Sequence, residues 1–509
     1  MTTVVPIDPE VVGGEVDDLR RALAARLAVV ADALGVEVDG LSPSRTLDAL
    51  ARVARASSDD RSRWLLYVGL TGTFPSVAEM GKLTRALLLS TPATALIGVL
   101  QTTLDVQSRT HSGLRTIELV RDTVLVDVDF CAKYEHNTGI QRVVRHTVPE
   151  WQDDPERAHR LVAWNQDSTG YRELTELQRD RVLHWSDRRL PKADDPVLTD
   201  AQLAVEHVLV PWDSVLLVAE VPAFHVCDTL TSIARFSGNR VDVIGYDAIP
   251  LVMADTLPNA ESERFAHYLT LVKHSRRVHG ISESAANEFR GFVSALPSQG
   301  LTGPEVVTTS LATEVSAVAR AAAGRVVRDR SADPVILCVG SHEPRKNQDA
   351  VLFAAELLHR EGHRFRIVFV GGGSRTATMH FDKRVAALSK QGMHVESHRR
   401  LGDDDLWGLF GRARFSVFVS LHEGFGLPVA ESLALGAPVV TSDFGSLDEI
   451  ARVGGCLQVD PRDDTAIVDA MRRLLTDDAL HDSLVADIAR QRPKTWRAYA
   501  DEIWQGVAA

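Results

Sequence analysis

Two glutamates, Glu423 and Glu431, lie eight positions apart in the segment SLHEGFGLPVAESLALG. The pattern predicts a buried strand, a loop and then a helix with Pro428 in its first turn, where proline is tolerated. Gly424 and Gly426 let a ligand approach the backbone, and free N–H groups at the start of the helix can bind oxygen atoms. The helix dipole alone explains one acid in a first turn, but it does not explain the loop glutamate, the two glycines and the proline together. We therefore expect a functional site here.

A basic pair, Arg345 and Lys346, stands in the segment VGSHEPRKN, which follows a predicted strand. Gly340 is the second residue of that segment. A solvated helix start is one interpretation, but two cations there are unfavourable with the helix dipole. The mismatch favours an anionic partner, and the pair is predicted to lie in an exposed loop.

Two shorter motifs follow predicted strands nearer the N-terminus. In NTGIQR, Gly139 permits a close approach of a ligand to the backbone. In YDAIP, Asp247 stands at a strand end, where aspartate is either a helix cap or a functional acid. Asp127 and Asp129 match a D-x-D metal pattern only superficially, because they fall inside a predicted strand. We interpret them as a polar pair at the strand end, and we find no convincing Mg²⁺ site in the sequence.

The elements that must position these residues fall into three regions and a terminal helix. Residues 1–118 show helical periodicity and predict a helical extension. Residues 119–325 alternate short β-branched runs with helical stretches, and residues 330–490 do so again. Residues 491–509 predict a C-terminal helix. Such alternation predicts an α/β fold with two parallel sheets, in which ligands bind beyond the carboxyl ends of the strands.

Two other stretches bear on this organisation. The polar, Ala/Arg-rich residues 319–333 are a candidate linker between the two α/β units. Residues 87–100, LLLSTPATALIGVL, are too short to span a membrane and predict a packed helix instead.

The segment EGFGLPVAE resembles the EX7E signature of retaining GT-B glycosyltransferases, the group called family 4. This resemblance implies that Glu423 meets hydroxyls of the donor sugar and that Glu431 meets the nucleotide ribose. It also implies that the backbone around Phe425, Gly426 and Leu427 binds the donor.

The segment VGSHEPRKN resembles the pyrophosphate loop of the same family. By this resemblance, Arg345 and Lys346 neutralise the leaving diphosphate, and Gly340 lies at the donor site. The family often has an arginine directly after this glycine, where the present chain has Ser341.

The segments TGIQR and YDAIP resemble a bacterial polysaccharide-assembly subset of that family, which implies that Gly139 binds the donor. Many relatives have a cleft histidine at the position of Tyr246, so Asp247 is here the better catalytic candidate. WRAYADEIW resembles the C-terminal helix that crosses back to the first domain in GT-B proteins. The resemblance covers about residues 120–509 and leaves residues 1–118 unmatched.

The resemblance implies a GT-B architecture: two Rossmann-like domains facing across a cleft, here with an α-helical N-terminal extension. It implies a retaining, metal-independent hexosyltransferase without cofactors, acting in bacterial polysaccharide or glycoconjugate assembly. The donor would be a nucleotide-diphosphate sugar, of mannose type or related, and the acceptor a glycan, a lipid-linked sugar or a protein. A GT-B-fold sugar-nucleotide epimerase and a non-catalytic scaffold stay open as alternatives.

The composition of the chain disfavours some classes of protein function. The chain has 509 residues and a net charge of −13, which disfavours nucleic acid as a partner. Four scattered cysteines lack metal-ligand spacing and predict buried free thiols in a reducing compartment. The first residues, MTTVVPIDPE, lack the pattern of a signal peptide. We expect a cytoplasmic protein, with a peripheral position at the inner membrane face as a further option. The N-terminal helices are candidates for contacts in a homo-oligomer.

Overall fold

Five helices precede the first strand. The computed structural model describes residues 9–89, 92–110, 112–152, 154–185, 202, 205–325 and 333–509. Within them, the early helices are α1 Pro9–Ala33, α2 Pro43–Ala56, α3 Arg61–Thr71, α4 Val77–Leu89 and α5 Pro92–Thr110. The prediction of one helix over residues 87–100 is therefore wrong. Helix α5 begins at Pro92, because proline inside a helix removes a donor and clashes with the preceding turn.

The helical region shares a core with the first sheet. The ring of Phe74 lies 5.7 Å from that of Trp64 in α3, and 6.1 and 5.6 Å from those of Trp164 and Tyr171 in the sheet. The buried guanidinium of Arg26 in α1 donates to backbone carbonyls on both sides of this junction. The predicted extension is thus packed firmly on the α/β region.

Nine strands of the described residues form the first sheet. They are β1 Thr116–Val120, β2 Val124–Asp127, β3 His159–Trp164, β4 Tyr171–Glu173, β5 His207–Pro211, β6 Val215–Val218, β7 Arg240–Gly245, β8 Arg277–Gly280 and β9 Glu305–Thr308. Their spatial order is β1-β5-β4-β3-β2-β6-β7-β8-β9. Strand β4 departs from the predicted parallel pattern and is antiparallel to both neighbours. A short loop joins it to β3, and short loops can join only antiparallel strands.

Helices cover this sheet and lead to the second one. They are α6 Asp129–Lys133, α7 Gly139–Thr147, α8 Pro149–Gln152, α9 Glu176–Leu183, α10 Cys227–Phe236, α11 Ile249–Val252, α12 Asn259–Val272, α13 Glu283–Ala295 and α14 Ala317–Gly324. The prediction of a strand through Asp129 is wrong, because Asp129 begins α6. The predicted linker, residues 319–333, is helical up to Gly324 as part of α14, and its residues 326–332 lie outside those that the structure describes.

The second sheet is parallel throughout its six described strands. They are β10 Val335–Val339, β11 Arg366–Val370, β12 His394–His398, β13 Ala413–Phe418, β14 Val439–Ser442 and β15 Cys456–Val459. The order β12-β11-β10-β13-β14-β15 reverses direction between β10 and β13. The loops after β10 and β13 therefore flank a topological switch point, where open α/β sheets bind ligands.

Seven helices accompany this sheet and an eighth returns to the first one, among the residues described. They are α15 Gln348–Arg360, α16 Arg375–Lys390, α17 Asp403–Arg412, α18 Leu427–Ala434, α19 Gly445–Ala451, α20 Asp464–Thr476, α21 Asp478–Ala489 and α22 Trp496–Ala508. Trp151 Nε1 in α8 donates to the carbonyl of Ala500 at 3.0 Å, so α22 packs on the first domain as predicted. None of the helices that the structure describes has both the length and the apolar character needed to cross a bilayer.

Candidate active site

Two loops at the switch point of the second sheet form the site. The loop after β10 runs through Gly340 and ends in a 3₁₀ turn, Pro344–Lys346. The loop after β13 leads into α18, which begins at Leu427. The backbone N–H of Leu421 donates to the carbonyl of Arg345 at 2.7 Å and joins the two loops.

The basic pair and the first glutamate lie together. Lys346 Nζ donates to Glu423 Oε1 at 2.5 Å, and Arg345 Nη1 lies 3.2 Å from Glu423 Oε2. Burial alone would raise the pKa of Glu423, but the charges of Lys346 and Arg345 hold it below its usual value. The predicted exposure of the pair is wrong, since both side chains are mostly buried, at 11% and 13% exposed. Their attraction to a buried carboxylate draws them inward.

Other groups also bind the basic loop. Arg345 Nε donates to Glu343 Oε2 at 2.9 Å, and Ser341 Oγ donates to Glu343 Oε1. Arg345 Nη1 also donates to the carbonyl of His422. Glu423 accepts one of the three hydrogen bonds that the Lys346 ammonium can donate. An incoming anion can thus use the remaining donors while the carboxylates keep the cations in place.

The second glutamate is held across the cleft. Glu431, in α18, is 5% exposed and forms an ion pair with Arg142 of α7, in the first domain. A Cβ at Gly139, the first residue of α7, would lie 4.0 Å from Leu427 Cδ1. Helices α7 and α18 therefore meet at the predicted donor site. The sequence analysis missed Arg142, although it is the arginine of the NTGIQR motif, three residues after Gly139.

Asp247 lies directly against the glycine loop. A Cβ at Gly424 would come within 2.4 Å of the carbonyl of Tyr246 and 3.0 Å of Asp247 Oδ2, so a glycine is required there. Asp247 Oδ1 accepts a hydrogen bond from the backbone N–H of Ile249. Asp247 thus accepts from the first residue of α11 with one oxygen and faces the glycine loop with the other. Burial raises its pKa to about 6, and the charges of Glu288 and Glu423 also raise it.

A histidine–glutamate pair joins this group, and the sequence analysis did not single it out. His422 Nε2 lies 2.7 Å from Glu288 Oε1 of α13. Burial lowers the pKa of His422, but Glu288 outweighs this effect and leaves the pKa raised. His422 neighbours Glu423 and could have been noticed, but Glu288 belongs to no motif. The pair extends the polar cluster towards the first domain.

The remaining predicted residues shape the backbone of the site. Gly426 has φ +110° at the start of α18, and a Cβ there would meet Leu447 at 2.4 Å. The carbonyl of Gly340 accepts from Gln348 Nε2 at 2.7 Å. A Cβ at Gly371 would lie 1.8 Å from that same carbonyl, so the ends of β10 and β11 fit closely. Phe425 is buried at 7% exposure and packs in the core between the domains.

The aspartate pair near the end of β2, Asp127 and Asp129, lies inside the first domain and interacts with its residues. Asp127 Oδ2 accepts hydrogen bonds from Trp164 Nε1 at 3.1 Å and from Tyr171 OH at 2.8 Å. Burial raises the pKa of Asp127 to about 7, and the charge of Asp129 adds to the effect. In the part of the chain that the structure describes, no group of three or more His, Cys, Asp or Glu side chains could hold a metal ion.

Comparison with known sequences relates part of the chain to a known protein family. Residues 324–491 match the family model of the glycosyl transferases group 1, which confirms the predicted resemblance. O-antigen chain mannosyltransferase B of Escherichia coli is 35% identical over 164 residues, 31% of this chain and 42% of that protein. Serotype-specific mannosyltransferase WbdA of Escherichia coli is 25% identical over 347 residues, 65% of this chain and 40% of that protein. The chain thus spans about two fifths of the length of these relatives.

Comparison with solved structures agrees with the fold. The N-terminal domain of Candida albicans trehalose-6-phosphate phosphatase superposes with a TM-score of 0.53 at 11% sequence identity. The match covers 77% of this chain and 96% of that one. At this identity the likeness concerns the fold alone, and it confirms the predicted GT-B architecture.

Proposed function

Because residues 324–491 match the glycosyl transferases group 1, we propose that the chain is a retaining glycosyltransferase. It would transfer a hexose, of mannose type or related, from a nucleotide-diphosphate sugar to an acceptor hydroxyl in bacterial polysaccharide assembly. The sugar and the process follow those of two relatives, an O-antigen chain mannosyltransferase and a serotype-specific mannosyltransferase. The observation that supports the proposal best is the buried cluster of Arg345, Lys346 and Glu423 at the switch point.

The chemistry would proceed as follows. The bond between the anomeric carbon and the phosphate oxygen breaks, and charge develops on the diphosphate. Arg345 and Lys346 stabilise that charge without reorganisation, as preorganised donors do. The acceptor oxygen attacks from the same face, and its proton passes to the departing phosphate oxygen. Glu423 is held by two cations, which suits it to binding sugar hydroxyls rather than to attack on the anomeric carbon.

The test of the proposal is transfer itself. The protein is incubated with GDP-mannose, UDP-glucose and related donors, each with an α-linked mannotriose acceptor, and nucleotide diphosphate and products are measured. We expect nucleotide release that depends on the acceptor, and an axial linkage in the product from an axial donor. Interconversion of donor sugars without acceptor would indicate the epimerase, and the absence of donor binding would indicate the scaffold.

We predict that turnover does not need a metal ion. Two cationic side chains would take the place of the metal that other enzymes put on the leaving diphosphate. Excess EDTA is therefore expected to leave kcat unchanged. Complete loss of turnover, restored by Mg²⁺ or Mn²⁺, would contradict this prediction.

We predict an acid limb in the pH profile that comes from Asp247. Its raised pKa, about 6, means that the carboxylate gains a proton as the pH falls through that value. If the ionised form accepts a hydrogen bond from a substrate hydroxyl, kcat/KM falls below about pH 6. Asp247→Asn should lower the plateau and remove the limb. The control Asp255→Asn, which changes an exposed acid beyond α11, should keep it. An unchanged limb in Asp247→Asn would assign it to another group, such as His422.

A further inference from the structure

Three aromatic side chains form an exposed cluster beyond the end of β2. Phe130 and Tyr134 have ring centroids 4.7 Å apart, and the ring of His136 lies 6.0 and 6.3 Å from theirs. Phe130 is 38% exposed and Tyr134 is 49% exposed. We call Phe130, Tyr134 and His136 the aromatic triad. Exposed apolar groups that lie together commonly mark a binding site.

The base of the aromatic triad is fixed by two carboxylates, of which Glu220 is buried and Asp129 is half-buried. Glu220, which follows β6, accepts hydrogen bonds from the backbone N–H groups of Phe130 at 2.8 Å and Cys131 at 3.0 Å. Asp129 accepts from Lys133 Nζ at 2.7 Å and from the backbone N–H of Trp164 at 2.8 Å. These bonds hold α6 against β2 and β3, so that Phe130 is presented to solvent on a rigid support.

The chain links the aromatic triad directly to the donor site. From Tyr134 it runs through exposed residues to Gly139, whose Cβ position lies 4.0 Å from Leu427 of the donor loop. Five residues of extended chain span at most about 18 Å. Strand β2 also ends at the same sheet edge as β7, and Asp247, two residues after the end of β7, lies against Gly424. The aromatic triad therefore lies beyond the sheet edge that meets the glycine loop, and Tyr134 is at most about 18 Å from Gly139.

We propose that the aromatic triad is a stacking platform for a sugar ring of a glycan acceptor, which deepens the proposed function and rests on it. A pyranose presents C–H bonds on one face and hydroxyls at its rim. Aromatic faces bind the C–H side, and the neighbouring exposed Glu135 can accept hydrogen bonds from the rim. An anionic bilayer is a poor match, because Lys133 is paired with Asp129 and Glu135 adds negative charge.

The experiment distinguishes the effect of an aromatic ring on acceptor binding from the effect of apolar surface area alone. Phe130→Leu and Tyr134→Leu remove a ring, and Phe130→Tyr and Tyr134→Phe retain it as matched controls. With an α-linked mannotriose as acceptor, we expect each leucine variant to raise the acceptor KM about 3- to 10-fold, the range of an aromatic contact. The donor KM, and the slow release of nucleotide diphosphate by water alone, should not change. The two controls should stay near the wild-type KM.

Saturation-transfer NMR with mannotriose alone tests the platform independently of turnover. We expect transfer from the wild type and the controls, and reduced transfer from the leucine variants. Equal KM values and equal transfer for the leucine and ring-retaining variants would overturn the platform, as would binding to phosphatidylglycerol vesicles that depends on the triad while mannotriose does not bind. A wild type that binds mannotriose through the triad but never consumes a nucleotide sugar would overturn the proposed function instead.

Discussion

Replacing Lys346 or Arg345 by alanine is expected to lower kcat strongly, by about 2–4 kcal/mol of transition-state stabilisation for each. This corresponds to roughly a 30- to 1,000-fold loss at constant donor saturation. The reason is that the departing diphosphate would lose a fixed positive charge in a buried site, where water cannot replace it. Stopped or quenched assays of kcat, with donor binding measured separately, would show the loss in the chemical step.

Each substitution also leaves Glu423 with one cation fewer, and this second effect must be separated from the first. The double variant Lys346→Ala/Glu423→Gln does so. If Lys346 acted only by holding Glu423, the double variant would be no worse than Glu423→Gln alone. If Lys346 acts on the diphosphate, the two losses should add to a large extent.

Lys390→Ala is the matched control, since Lys390 is an exposed lysine of the same domain. It should keep the wild-type kcat, and all variants should keep a cooperative thermal transition. Near-normal kcat in both Arg345→Ala and Lys346→Ala would remove the pair from the mechanism.

The sequence predicted the parts of this site that depend on local pattern. The glycine loop followed by Pro428 predicts a turn into a helix. Short β-branched or aromatic runs predict strands β10 and β13. Since both loops leave carboxyl ends of parallel strands, their meeting at one edge also follows. Glu423, Arg345 and Lys346 were therefore predictable as one group from their positions after these strands.

What the sequence could not predict depends on contacts between distant segments. Arg142 and Glu431 are 289 positions apart, and their pairing follows from how α7 and α18 meet across the cleft. Glu288 lies within a helix and shows no motif. The run TVLVDVDF has strand composition to its end, yet α6 starts at Asp129, because Glu220, which follows β6, accepts hydrogen bonds from backbone N–H groups in the first turn of α6. Such tertiary hydrogen bonds override local propensity.

We expect substitutions of Glu423 and Glu431, the two glutamates of the site, to have different effects on ligand binding. Glu423 lies beside two cations, so Glu423→Gln removes a negative charge from the neighbourhood of the proposed diphosphate site. Affinity for nucleotide diphosphate alone should therefore be kept or slightly increased. The value of kcat should fall, because the carboxylate would bind sugar hydroxyls most strongly as the sugar moves towards the transition state.

Glu431→Gln is expected to weaken nucleotide diphosphate and the full donor by a similar factor, of about 1.5–3 kcal/mol, the range for hydrogen bonds to a charged group. In the structure Arg142 holds this carboxylate, so a ribose would have to share it or displace the guanidinium. Arg142→Gln tests that point, since it leaves the carboxylate in place. If ribose and Arg142 compete for Glu431, this variant binds the nucleotide at least as tightly as the wild type.

Calorimetric titration of Glu423→Gln, Glu431→Gln and Arg142→Gln with the nucleotide diphosphate, together with donor kinetics, distinguishes these roles. The double variant Arg142→Gln/Glu431→Gln removes the ion pair as a whole and shows whether the unpaired Arg142 contributes to the loss in Glu431→Gln. An equal loss of bare nucleotide affinity in Glu423→Gln and Glu431→Gln would contradict the assignment of sugar to one carboxylate and ribose to the other. A loss confined to Glu431→Gln would place the ribose at α18, where the first domain, through Arg142, already contacts the same carboxylate. Donor binding would then be coupled to the contact between the domains, because the ribose and Arg142 use one acceptor.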